Sequence, residues 1–145
     1  DPSAFAAALG VPVRAAGYSR SDALVELENE QAVREARPDI AALAALAPRG
    51  VILTGPASTP GFDFVSRFFA PNVGVDEDPV CGSAHCCLGP YWGARLGKDD
   101  LMAYQASARG GVLRVGLRGD RIALAGRAVT VLRGELMGPA GPPRV

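Results

Sequence analysis

Residues 83–96 read SAHCCLGPYWGARL, and the rest of the predicted fold is arranged around this stretch. Small or apolar side chains recur at helical spacing on every side of it, namely Ala84, Cys87, Leu88, Tyr91, Trp92 and Leu96. A surface helix would keep one polar face, so the pattern predicts a buried helix. The Gly89-Pro90 pair within it predicts a kink or a division into two helices.

Short strands and two further helices flank this helix. Ser3 and Gly10 bound a predicted helix at 3–9, and Pro38 with Asp39 opens another at 40–46. Apolar runs predict strands at 11–19, 23–28, 50–54, 62–69, 101–107, 112–117, 121–124 and 128–133, with a loop at 70–82 and a loose tail at 139–142. We therefore expect an α+β fold in which a barrel-like, mostly antiparallel sheet wraps around a buried central helix.

Length and composition fit one domain over residues 1–145, of which 48% are hydrophobic. Fifteen basic residues balance fifteen acidic ones without a basic stripe, which argues against a nucleic-acid partner and favours a small ligand.

The sequence has neither an apolar run of about 18 residues nor a signal-peptide pattern, so no membrane partner is expected. Asp1 in place of Met, followed at once by an Ala-rich pattern, predicts that the chain is one part of a longer protein.

The three cysteines all lie between positions 81 and 87, and Cys86 and Cys87 are neighbours. An odd number of cysteines at this spacing is a poor disulfide framework, so the sequence predicts free thiols and a cytoplasmic location.

The segment from Asp78 to His85 gathers a carboxylate, a thiol, a hydroxyl and an imidazole within eight residues, directly before and within the predicted helix start. A helix N-terminus offers unpaired N–H groups and a positive dipole end, which favour an anion such as a substrate carboxylate and also favour a thiolate. Cys81 is thus a candidate proton acceptor or nucleophile, the alternative being a small buried hydrophobe. The segment predicts an acid-base site beside an anion cradle.

Asp78 and Ser83 each have two interpretations. Asp78 is either a general acid or base, or a residue that caps the helix or holds the loop through backbone N–H groups. Ser83 either donates its hydroxyl to a substrate carboxylate or is the N-cap residue.

The remaining polar candidates of this region are assigned to structure. His85, Cys86 and Cys87 are expected to be buried structural residues of the helix, and Arg67 and Arg109 to support packing or a loop. The spacing of the Asp, Cys and His side chains matches no common zinc pattern, so no metal is expected. Gly110 and Gly111 form no phosphate-binding fingerprint, so no cofactor is expected either.

Five motifs together resemble those of a known protein family. Residues 63–71 (DFVSRFFAP), 77–85 (EDPVCGSAH), 90–92 (PYW) and 105–111 (QASARGG), together with Val129-Thr-Val131 and Gly134, resemble the phenazine-biosynthesis PhzF-like family in order and spacing. The resemblance runs from about residue 40 to residue 136 and covers the second half of the family's usual chain. It implies one half of a diaminopimelate epimerase-like fold, in which two pseudo-symmetric domains enclose the active site.

The resemblance also implies an activity, that of a cofactor-independent isomerase acting on a small amino-acid-like or hydroxy-acid substrate. Asp78 matches the family's acidic site residue, Ser83 its substrate-contacting serine, and Gly82 and Ala84 supply backbone N–H groups. Many members have Thr where this chain has Cys81, and in the related epimerases a Cys followed by Gly at a helix start is one of two opposed bases.

The family's other half contributes a glutamate and a histidine-containing Gly-rich segment, and neither motif occurs in these 145 residues. The expected partners are therefore a small carboxylate-bearing substrate and a second domain or chain with the N-terminal half, and a homodimer is also expected. Two other hypotheses stay open: a non-catalytic interaction module that retains the fold, and a lyase of the hydroxyproline dehydratase type.

Overall fold

Seven strands pair in chain order to form one sheet in the computed structural model, which describes residues 1–135 and 138. The strands are β1 (Ala15–Tyr18), β2 (Asp22–Glu26), β3 (Gly50–Pro56), β4 (Phe64–Phe69), β5 (Asp100–Gln105), β6 (Gly111–Arg118) and β7 (Arg121–Ala125). The pairs β2–β3 and β4–β5 are parallel and the other four are antiparallel. The α+β class and the predominance of antiparallel pairs are confirmed.

The helices occupy the connections that parallel pairing requires. A parallel pair needs a crossover rather than a tight turn. Helices α2 (Glu30–Glu35) and α3 (Ile40–Leu46) lie between β2 and β3, whereas a short 3-10 turn (Pro71–Val73) and α4 (Gly82–Leu96) lie between β4 and β5. Helix α1 (Pro2–Leu9) precedes the sheet, begins at the N-cap Asp1 and ends at Gly10.

The sheet has a hydrophobic core on each side. One core joins α1, α2 and α3 to alternate side chains of the central strands, including Val25, Leu53 and Val65. The other packs Leu88 and Trp92 of α4 against side chains from β2 to β7. All five residues of β2 are buried for this reason.

Two glycines let α4 lie close to the sheet. A Cβ atom at Gly89 would come within 2.9 Å of Val115 Cγ1, and one at Gly93 would come within 2.9 Å of both Leu117 Cδ2 and the Lys98 carbonyl. Contacts this short do not occur between real side chains, so the glycines set the helix-to-sheet distance. The second half of α4 is thereby held close to β6.

Several sequence predictions are corrected by the structure. Helix α4 is continuous through Gly89 and Pro90 rather than divided, and it is buried on one face only, with Ser83, Cys86, Pro90 and Ala94 exposed. Pro90 is tolerated because it lies on the exposed side, where water can bind the carbonyl group that it leaves without a donor. Helix α2, capped by Asn29, is an element that the sequence patterns do not predict.

Residues 128–133, predicted as a strand, form no strand in the described part of the chain, and Val129, Val131 and Leu132 are exposed there. The segment has the alternation of a strand without a pairing partner among the described residues. The tail predicted at 139–142 lies outside the described residues. Closure of the sheet into a barrel around a central helix stays a prediction, since β1 and β7 are the two edges of the order described here.

Candidate functional site

The N-terminus of α4 is open to solvent. The N-cap residue is Cys81 with extended backbone angles, φ −104° and ψ 111°, and the helix begins at Gly82. The interpretation of Ser83 as the N-cap is therefore wrong, because Ser83 is already the second residue of the helix. The N–H groups of Gly82, Ser83 and Ala84 have no acceptor within the helix, and Gly82 and Ser83 are exposed. This end of α4 can receive an anion.

A buried glutamine holds the loop that leads into this helix. Gln105, the last residue of β5, accepts a hydrogen bond from the Cys81 backbone N–H at 2.8 Å and donates one to the Asp78 carbonyl at 2.5 Å. Ser107 donates to the Pro79 carbonyl at 2.8 Å, and the Asp78 N–H donates to the Phe68 carbonyl at 2.9 Å. The position of the loop is thus set by the neighbouring strands β4 and β5.

The Asp78 carboxylate is partly exposed, and one of its oxygens has a structural contact. Oδ1 accepts from the backbone N–H of Val80 at 2.9 Å, the two-residue turn typical of Asp before a loop. This contact bears out the loop-holding interpretation of the residue. Oδ2 has no hydrogen bond within residues 1–135, so this oxygen stays available for an acid-base role.

Cys81 lies nine-tenths buried beneath the first turn of α4, where its sulfur contacts one hydroxyl group. The Sγ atom is 3.2 Å from Ser83 Oγ, and Ser83 Oγ is 3.1 Å from Nη2 of Arg49. Arg49 in turn is paired with the buried carboxylate of Asp22, through Nε at 2.8 Å to Oδ1 and through Nη2 to Oδ2. The hydrogen bond to Asp22 raises the pKa of Arg49 above its ordinary value.

Sequence reasoning did not single out Arg49 or Asp22. Both lie far from Ser83 in the chain, and the parallel register that sets Asp22 beside Gly50 brings Arg49 next to that aspartate. Gln105 was noted only as part of a family motif. The signal that could have identified Gln105 is its position at the end of β5. It is a polar residue on the same side of the strand as the buried residues Leu101 and Ala103.

His85 is fully buried and supports the helix start from below. Its Nδ1 lies 2.7 Å from the Cys81 carbonyl, and its Nε2 lies 3.4 Å from Ser66 Oγ. Because a carbonyl oxygen only accepts, Nδ1 carries the proton and donates. Burial lowers the pKa of His85, opposed by its bond to the Cys81 carbonyl, so the ring is neutral near pH 7. The contacts agree with the structural role expected for this residue.

The other two cysteines differ from expectation. Cys86 is exposed, so its predicted burial is wrong, because it falls on the free face of α4. Cys87 is half-buried, and desolvation raises the pKa of its thiol.

Arg67 pairs with Glu77 at 2.7 Å and lies over the Phe69 ring, which are packing contacts.

Within the described ranges, no group of three or more His, Cys, Asp or Glu side chains is placed to hold a metal ion. No helix among those residues has the length and apolar content needed to cross a membrane.

Among the candidate residues Gly82 and Ser83 are exposed and Asp78 is partly exposed, whereas Cys81 and Ala84 are buried. A groove of about 560 Å³ runs between β1 and α4, and one of about 710 Å³ lies beside Val80 and the turn at Gly110. Neither groove is lined by Asp78, Cys81 or Ser83. In the described part of the chain these three residues lie outside both grooves.

The fold is that of an α+β protein with Asp78, Cys81 and Ser83 near the N-terminus of α4, and comparison with known proteins gives its family. The family model described as phenazine biosynthesis-like protein (PhzC-PhzF) matches residues 3–134. The chain belongs to this family, which confirms the resemblance.

The relatives include two proteins named uncharacterized isomerases. One, from Halalkalibacterium halodurans, is 48% identical over 136 residues, which are 94% of this chain and 51% of the relative. Another, from Pseudomonas aeruginosa, is 56% identical over 129 residues, which are 89% of this chain and 49% of the relative. This chain thus spans about half the length of these relatives.

Solved structures of the family have the same fold. A PhzF family protein of Enterococcus faecalis superposes with a TM-score of 0.78 at 44% identity, covering 82% of this chain and 45% of that one. A putative PhzC/PhzF protein of Clostridium difficile gives 0.79 at 37% identity, covering 92% of this chain and 51% of that one.

Proposed function

We propose that this chain forms one wall of the active site of an isomerase that moves a proton on a small carboxylate-bearing substrate, amino-acid-like or hydroxy-acid. The observation on which the proposal rests is that Cys81 and Asp78 adjoin the open N-terminus of α4. Support comes from the two relatives described above, which are named uncharacterized isomerases. That name is a property of those proteins, and its transfer to this chain is part of the proposal.

Each group has a role that its position allows. The backbone N–H groups of Gly82, Ser83 and Ala84 bind the substrate carboxylate, since three convergent donors at a helix N-terminus favour an anion. Cys81 and the free oxygen of Asp78 then exchange protons with the substrate. That the reaction needs no cofactor is part of the proposal and rests on the family resemblance.

The proposal includes a second domain or chain that supplies the opposite wall. Three observations support it: the chain spans about half of its relatives' length, the first turn of α4 is open to solvent at Gly82 and Ser83, and the three most exposed large apolar residues of the described part of the chain lie in one segment. In that segment Val129, Val131 and Leu132 are 83%, 90% and 83% exposed. The two-domain arrangement, the homodimer and the cytoplasmic location stay predictions.

The test is solvent-deuterium incorporation into a panel of small amino and hydroxy acids, with the chain in a full-length context. A chimera in which it replaces the matched part of the Pseudomonas aeruginosa relative provides that context. Cys81→Ala and Asp78→Asn are expected to slow incorporation by roughly 10²-fold or more. Cys86→Ala is the matched control, because this cysteine lies on the exposed face of the same helix.

Product analysis separates the alternatives. An isomerised product of unchanged composition supports the proposal, whereas loss of water from a hydroxylated substrate indicates a lyase. Equal incorporation by the wild-type chimera, Cys81→Ala and Asp78→Asn would remove both residues from the mechanism.

A further inference from the structure

We propose that Arg49 and Ser83 form a hydrogen-bond relay that positions and activates the Cys81 thiol. The inference rests on the proposed function, which makes Cys81 a proton-transfer group, and it adds two positioning residues that act through the sulfur. Arg49 lies 34 residues before Ser83 in the chain, and no sequence motif connects the two.

The direction of the relay follows from what each group is able to donate. A guanidinium has donors only, so Ser83 Oγ is the acceptor of the 3.1 Å contact with Arg49 Nη2. The single hydroxyl proton of Ser83 is then free to point at Cys81 Sγ, 3.2 Å away. A hydroxyl that donates to sulfur stabilises the thiolate, and a charged neighbour that polarises this hydroxyl strengthens the bond.

Asp22 keeps the relay in place. Its carboxylate is 3% exposed as a residue and binds Arg49 through two nitrogens, which fixes the plane of the guanidinium and the position of Nη2. The pair also fastens the beginnings of β2 and β3 to the first turn of α4. The contacts with Asp22 thus place Nη2 of Arg49 within hydrogen-bond distance of Ser83 Oγ.

Charged groups of both signs lie around Cys81, and the positive ones are nearer the relay. Arg49 and the N-terminal dipole of α4 are positive, whereas Asp22 is paired with Arg49 and lies behind it. Asp78, on the loop, turns one oxygen toward the Val80 N–H, and His85, beneath the helix, is neutral and bonds the Cys81 carbonyl rather than the sulfur. In the described residues the contact with Ser83 is the one side-chain hydrogen bond made to Sγ, whose other neighbours belong to the hydrophobic core beneath α4.

The relay changes the role expected of Ser83. With its proton directed at the sulfur, the hydroxyl is not the principal donor to a substrate carboxylate. The backbone N–H groups of residues 82–84 take that part instead, and they are free for it because a helix leaves its first N–H groups without acceptors.

The experiment measures the thiol itself, so it does not depend on a substrate. In a Cys86→Ser, Cys87→Ser background Cys81 is the remaining cysteine, and its alkylation rate by iodoacetamide is followed near neutral pH beside the ultraviolet absorbance of the thiolate. Arg49→Gln and Ser83→Ala are each expected to lower the rate about three- to tenfold, the magnitude of one charge-assisted hydrogen bond. The double variant is expected to be no slower than either single variant, because the two groups act in series.

Two further variants serve as controls. Arg95→Gln removes an arginine that is also paired with a buried carboxylate, Glu26, but lies in the last turn of α4, and it is expected to leave the rate unchanged. Asp22→Asn with Arg49→Gln removes the relay without stranding a buried charge, and it is expected to match Arg49→Gln.

Additive losses would overturn the proposal, because they would mean that Arg49 acts on Cys81 directly rather than through Ser83. An unchanged rate in Arg49→Gln or Ser83→Ala would overturn it as well. The two proposals can fail separately. If the alkylation rates behave as expected but the chimera incorporates no deuterium, the isomerase proposal is refuted and the relay is retained. If the chimera incorporates deuterium but the alkylation rates do not change as expected, only the relay is refuted.

Discussion

At the scale of single residues, polar side chains that connect distant segments set the geometry of this protein. Gln105 binds both ends of the loop from Asp78 to Cys81, and Arg49 joins β2, β3 and α4. Glu30 plays the same part on the opposite side of the sheet, where it accepts hydrogen bonds from residues 58 and 59 as well as from Arg34. Each is a buried or half-buried polar group with at least one partner outside its own element.

The ionisation of Glu30 gives a prediction about the stability of the fold in acid. Burial opposes its ionisation, but hydrogen bonds from Thr59, Arg34 and Ser58 outweigh that effect and lower the pKa of Glu30 to about 2. Because the pKa is lower in the folded state than the ordinary 4.5, the stabilisation is present above about pH 4.5 and is lost as the pH falls toward 2.

Glu30→Gln is therefore expected to lower the free energy of unfolding by about 3 kcal/mol at neutral pH, and by much less near pH 3. Urea unfolding at the two pH values measures the difference. Glu35→Gln is the matched control, since Glu35 lies exposed on the same helix. A Glu30 variant with the same deficit at both pH values would contradict the assignment.

At the scale of elements, the chain could be predicted where local signals were strong. Helix α3 was predicted with its observed bounds, Ile40–Leu46, because Asp39 caps it and Pro38 precedes it. Helix α2 was missed, since its six residues lack an apolar period and rely on the Asn29 cap. Residues 128–133 have a strand-like pattern, but a strand needs a neighbour, and local pattern does not reveal whether one is present.

The candidate site likewise contains some residues that the sequence predicts and others that it does not. Asp78, Cys81, Gly82, Ser83 and Ala84 are adjacent in sequence, so their grouping at a helix start could be read from spacing alone. Arg49, Asp22 and Gln105 reach the site through strand register and crossovers. Single-sequence patterns do not encode those long-range pairings.

The close approach of α4 to the sheet gives an element-scale prediction. Gly93→Ala places a methyl group 2.9 Å from the backbone oxygen of Lys98, which has no rotamer by which to yield, so it is expected to cost about 1–3 kcal/mol of unfolding free energy. Gly82→Ala is the control on the same helix, because its nearest neighbour, Leu124 Cδ1, is at an ordinary 3.6 Å. Equal stability of the two variants in denaturant unfolding would contradict the packing described.

At the scale of the whole molecule, the exposed apolar segment near Val129 marks where a companion half is expected to dock. Val129→Asp with Val131→Asp is expected to weaken binding to the unmatched half of the Pseudomonas aeruginosa relative at least about tenfold, because burying unpaired carboxylates is costly. The folded chain itself is expected to melt unchanged, since both side chains are exposed.

Titration calorimetry measures that binding. Ala41→Asp with Ala45→Asp adds the same charge on exposed positions of α3 and is expected to bind like the wild type. Equal weakening by both double variants would show a general charge effect rather than docking through the segment.

The central claim is that Cys81, at the N-cap of α4, exchanges a proton with the substrate. The most direct measurement compares solvent-deuterium incorporation by Cys81→Ala and Cys86→Ala in the same full-length chimera. The account predicts a loss of roughly 10²-fold or more for Cys81→Ala and wild-type incorporation for Cys86→Ala. Wild-type incorporation by Cys81→Ala would contradict it.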